Sequence, residues 1–118
     1  MKLNECTKDE LIYLIHKYTL LPSNFETDVL FYRQEKVMAQ YLICAAESND
    51  LLGKYVDLMK PYEGKSYSEV PDKVIQKVKR ILEKRNRCIE KLDQLNAQCE
   101  KLSKRIDCLI GVKDDENE

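Results

Sequence analysis

A run of cations, and two aromatics that precede it, are the side chains of this sequence best suited to binding a ligand. Lys77, Arg80, Lys84, Arg85, Arg87 and Lys91 fall within fifteen residues, and Tyr62 and Tyr67 lie upstream, flanked by Lys60 and Lys65. A guanidinium presents a planar fork that suits phosphate or carboxylate, and an exposed tyrosine stacks a base while neighbouring cations hold its phosphate. The chemistry on offer is recognition of an anion. A plainer reading stands beside it. Cations on a helix commonly form a solvated face and pair with acids on the same or a neighbouring helix, and loop tyrosines can cap the end of a helical hairpin.

Other chemistry lacks its parts. His16 is the single histidine, and no motif directs a nucleophile towards it, so neither a Ser/His/Asp nor a Cys/His machine can be assembled. At helical spacing from Ile12 and Ile15, His16 reads as a partly buried helix residue. Five cysteines occur at irregular spacings without a CxxC, and Cys88, Cys99 and Cys108 stand eleven and nine residues apart. On one helix each successive pair is then separated by more than about 10 Å, too far to share a zinc ion. The cysteines read as small core hydrophobes, with no metal and no cofactor expected. Cys99 would face its symmetry mates only in a parallel oligomer.

The elements that must position the cations are helices. The 118 residues include only three Gly and three Pro, against 35% charged and 43% hydrophobic residues. That composition excludes turn-rich β folds and glycine-rich phosphate loops, and its length suits one domain. Thr7 followed by Glu10 forms a capping-box pattern ahead of a short amphipathic helix over about 8–18. Ser23 and Glu26 repeat it before a second helix over about 24–60, which Pro61 stops. That helix carries one apolar stripe through Leu30, Val37, Tyr41, Cys44, Leu51, Tyr55 and Leu58. A second runs through Phe31, Met38, Leu42, Ala45, Leu52, Val56 and Met59. Two stripes predict cover on more than one side. The run Glu47-Ser48-Asn49-Asp50 with Gly53 is poor in helix formers and marks a place where the helix could kink.

The third helix, over 71–110, has the strongest periodicity. Val74, Val78, Ile81, Arg85, Cys88, Leu92, Leu95, Cys99, Leu102, Ile106 and Leu109 are spaced alternately by four and three. This is a coiled-coil seam, with Val78, Arg85, Leu92, Cys99 and Ile106 as a positions. Ile75, Leu82 and Ile89 widen it in the first half, which predicts that Val74–Leu92 packs against both other helices of its own chain. Arg85 breaks the seam. A polar residue at an a position can set register, and its stem can snorkel outward.

The net charge of -1 conceals segregation. Residues 1–70 carry eight Lys/Arg against eleven Asp/Glu, residues 71–110 eleven against six, and residues 111–118 one against four. The last segment reads as a disordered acidic tail after Gly111. The expected architecture is all-α: a short N-terminal helix and two long helices in an elongated antiparallel hairpin or bundle. No leader or membrane span is legible, so a soluble, intracellular (cytoplasmic) protein is expected. The expected function is that of a non-catalytic adaptor, regulator or inhibitor that self-associates and presents its basic helix to a protein partner. The alternative is an oligomer that sequesters an anionic, nucleotide-like molecule in clefts between subunits. Nucleic-acid binding ranks lower because the net charge is near zero. Small Lys/Glu/Ile-rich helical chains of this style are common among accessory proteins of bacteria and their phages.

Overall fold

The computed structural model describes residues 1–111, so the expected acidic tail, Asp114–Glu118, lies outside the described residues. Three helices account for most of the chain: α1 (Lys8–Lys17), α2 (Phe25–Met59) and α3 (Asp72–Ile110), joined by short 3-10 turns. The fold is all-α, with one short helix followed by two long ones, and no strand occurs among the described residues.

Local chemistry explains the boundaries. The Thr7 hydroxyl accepts from the Glu10 amide at 3.2 Å, and the Glu10 carboxylate accepts from the Thr7 amide at 2.9 Å, closing the box that starts α1. The second expected box does not form. The Glu26 carboxylate instead takes the Met1 amino group at 3.3 Å and Arg105 at 2.8 Å, because charged donors bind a carboxylate more strongly than a backbone amide does. α2 runs unbroken through Asn49, Asp50 and Gly53. All three lie on its exposed side, while Ser48 beneath them is buried, so packing of the inner stripe outweighs their poor propensity of about 1 kcal/mol or less each. Gly64 and Gly111 adopt φ of 75°, the left-handed conformation that glycine tolerates, the first turning the connector and the second ending α3.

The chain forms two compact units. The first comprises Met1–Ala39 and the stretch from Ala97 onward; the second is Gln40–Asn96. In the first unit, contacts of Glu26 with Arg105, Gln34 with Ser103 (2.6 Å) and Met38 with Cys99 (3.5 Å) pair rising with falling numbers, so the α2 and α3 segments run antiparallel. Leu14, Val29, Leu30 and Ile106 are buried there. α1 is held by ion pairs of Glu10 with Arg33, Asp9 with Lys36 and Lys17 with Asp28, and Tyr13 stacks on Tyr32 at 4.7 Å. This corrects the expected placement of α1. It belongs with the C-terminal part of α3 rather than with Val74–Leu92, because its charges match the first turns of α2.

The second unit contains two long helical segments and the connector. Tyr41, Cys44, Ser48, Leu51, Tyr55 and Leu58 of α2, and Val74, Val78, Ile81, Arg85, Cys88, Leu92 and Leu95 of α3, are all buried or half-buried. The four-three spacing read from the sequence is therefore the α2–α3 seam. The second α2 stripe is not covered as expected. Leu42 is 64% exposed and Val56 51%, and Leu52, Leu82 and Ile89 are also exposed. Two helices can bury only the stripes that face each other. α1, the third helix of the chain, belongs to the other unit.

Candidate functional site

Setting Val78 and Arg85 as a positions sorts the first half of α3 into faces. Lys77, Lys84 and Lys91 occupy g, and Lys73, Arg80 and Arg87 occupy c, whereas Glu83, Glu90 and Asp93 fall at f and b. Six cations thus form one stripe about 27 Å long, with the acids turned elsewhere. The structure places this stripe beside α2. Glu47, Asp50, Leu51 and Lys54 join Lys84, Arg87 and Cys88 around a groove of about 410 Å³. A smaller groove of about 220 Å³ continues it with Gln40, Ile43, Cys44 and Lys91.

The side of the seam that carries Ile75 and Leu82 is apolar. Tyr55, Met59, Tyr67, Val70, Ile75, Val78 and Leu82, with Lys79 at the edge, line a groove of about 320 Å³. In an antiparallel pair the e positions of both helices flank the same side of the seam and the g positions the other. The second unit is therefore amphipathic as a whole, with the α3 cations beside the α2 acids Glu47 and Asp50 along one side and apolar residues along the other.

The expected pairing of the cations with acids is not made. The five ion pairs found within 4.0 Å among the described residues all lie in the first unit, and none involves Lys73, Lys77, Arg80, Lys84, Arg87 or Lys91. Glu47 and Asp50 share a groove with Lys84 and Arg87 without an ion pair within 4.0 Å. Such pairing occurs instead in the first unit, as at Glu10, where the hydrogen bond from the Arg33 guanidinium holds the carboxyl below its usual range despite burial. The Asp28 carboxylate, accepting from the Tyr18 hydroxyl, pushes that phenol up.

Helix α3 carries five of the six cations singled out in the sequence along one line, with Lys73 extending it, and three of them, Lys84, Arg87 and Lys91, line the grooves beside α2. The signal for Lys73 was present, since it repeats Arg80 and Arg87 at seven-residue spacing. Arg85 does not join them. It is half-buried in the seam, and its Nε is shielded from solvent without a hydrogen-bond partner. Such an orphaned donor costs about 1–3 kcal/mol. Arg85→Leu is therefore expected to raise the midpoint of thermal unfolding; a lower midpoint would show that the guanidinium stabilises the seam.

The tyrosines are not assembled with the cations. Tyr62 is half-buried with the Lys65 ammonium 6.0 Å from its ring centre, while Tyr67 is 70% exposed at the rim of the apolar groove. No cavity found among the described residues is lined by either tyrosine together with one of the six candidate cations. His16 is exposed rather than partly buried, and all five cysteines are free. Among the described residues no group of three metal-ligating side chains occurs, and no helix is long and apolar enough to cross a membrane. Set against known proteins, the chain matches no family model, no curated protein and no solved structure.

Proposed function

We propose that this chain is a non-catalytic interaction protein of the cytoplasm, whose second unit self-associates along its apolar side and docks an acidic protein surface along its cationic side. The observation that carries the reading is the division of one helix pair into an unpaired stripe of six cations and an unpartnered apolar stripe. A helix pair whose only surface function was solubility would mix charges of both signs around its exposed faces. Here the acids of α3 avoid the stripe, so its six cations outnumber the α2 acids Glu47 and Asp50 that share its grooves, and the net positive field steers and orients an acidic partner.

The test uses charge reversal away from the seam. Lys77→Glu, Lys84→Glu and Arg87→Glu are combined, and partners captured from the source cell by wild type and variant are compared at two salt concentrations. A captured acidic protein whose binding weakens by roughly a hundredfold in the triple variant, and falls with salt, supports the reading. Retention of that partner by the variant overturns the cationic docking surface. Light scattering over a range of concentrations tests the self-association separately, and a strictly monomeric species overturns it.

A further inference from the structure

The apolar side of the second unit has an internal symmetry that points to its occupant. Between Leu42 and Met59 the outward stripe of α2 reads Leu42, Ala45, Asn49, Leu52, Val56, Met59, with the small Ala46 and Gly53 beside it and no charged residue in it. An added Cβ at Gly53 would meet nothing within 4 Å. Among the described residues nothing fills that space. About the midpoint Asn49, the stripe is self-complementary when laid antiparallel on itself. Leu42 then meets Val56 of the partner, Ala45 meets its Leu52, and Asn49 meets its own counterpart. Two branched side chains meet towards the ends, and the small Ala45 leaves room for the larger Leu52 nearer the axis.

The α3 contribution obeys the same centre. The Cys88 thiol lies 3.9 Å from the Glu47 carboxylate, which sets Asn49 level with about residue 86 of the antiparallel α3. Leu82 and Ile89 stand to either side of that level, so one axis relates both stripes to themselves.

Building on the self-association proposed above, we infer that a second copy of this chain covers this face, with a two-fold axis passing between the two Asn49 side chains. The paired amides donate and accept across the axis, as a single polar residue does when it sets the register of a coiled coil. The other face-to-face arrangement, α2 over the partner's α3, would bury Asn49 against Leu82 and Ile89 with its amide unsatisfied. The area is adequate. A face about 26 Å long and about 20 Å across two helices gives roughly 500 Å² of footprint per copy, or roughly 1,000 Å² for the pair, at the threshold of a specific interface. The symmetry is isologous, so it closes at two copies and does not grow into a filament.

Cysteine cross-linking in the full chain decides the geometry. In a Cys108→Ser background, which removes the one exposed native thiol, Asn49→Cys is expected to give roughly tenfold more disulfide-linked dimer than the parent on mild oxidation. Only an on-axis pair brings two copies of one residue within the roughly 4.4–6.8 Å between Cα atoms that a disulfide needs. Leu42→Cys and Val56→Cys are each expected to stay at the parental level alone and to cross-link between copies when combined. A dimer by light scattering without a link at residue 49 overturns the axis and leaves self-association standing. A monomer at every concentration overturns both.

Discussion

Leu30→Ala should lower the stability of the chain by about 3 kcal/mol, a drop of roughly 10 °C in the unfolding midpoint, whereas Leu42→Ala should cost little while the chain is monomeric. The two leucines sit on one helix, twelve residues apart. Leu30 is fully buried in the first unit and Leu42 is 64% exposed in the second. Truncating Leu30 removes the transfer free energy of three carbons and leaves a cavity between α2 and its neighbours. Truncating Leu42 removes atoms already in water. Self-association changes the second outcome in a defined way, since Leu42→Ala would then lower the midpoint only at concentrations where wild type is dimeric. Melting curves at two concentrations read both effects. A loss at Leu42 equal to that at Leu30 in the monomer would contradict the exposure of the second stripe.

The second large effect is expected at Glu10, which is 3% exposed. Its carboxylate accepts from Arg33 Nε at 2.5 Å and from Arg33 Nη2 at 2.9 Å, as well as from the Thr7 amide. Breaking a buried pair from one side typically costs 3–5 kcal/mol; because the Arg33 side chain is 27% exposed and can recover water, Glu10→Ala is expected to cost about 2–3 kcal/mol. Glu10→Gln keeps the capping pattern and isolates the charge. The folded-state pKa of Glu10 is lowered, chiefly by the Arg33 hydrogen bond. A carboxylate of that kind contributes stability above its unfolded value of about 4.3, and the contribution is lost as pH falls through the lower folded value. The midpoint difference between wild type and Glu10→Gln should therefore be full at neutral pH and shrink below about pH 4. A difference that persists unchanged to the lowest pH would show that shape, not charge, holds α1.

Much of the architecture was legible because helices announce themselves locally. Thr7 and Glu10 start α1, Pro61 and Pro71 bracket the connector, and the alternation from Val74 marks a seam that is buried or half-buried as far as Ile106, facing the α2 stripe of Tyr41, Cys44, Ser48 and Leu51, and that ends before Leu109, which is 44% exposed. The candidate cations were legible for the same reason, since their seven-residue repeat puts Lys77, Lys84 and Lys91 on one line. Less legible were the partners of each surface. Ser23 and Glu26 promised a cap, but Arg105, seventy-nine residues from Glu26, competes for the carboxylate.

Periodicity along this chain by itself determined the helical class, the order of one short and two long helices, the seam and the sorting of charge, because each is a property of spacing within one segment. Tertiary structure decided where α1 docks, that α2 passes Asn49 without a break, that Arg85 lies unpaired in the seam, and that the second stripe of α2 is left uncovered. Apolar spacing shows that a stripe demands burial but not what buries it. That choice rests on long-range pairings such as Glu10 with Arg33, whose residues lie far apart in sequence and meet only in the folded chain.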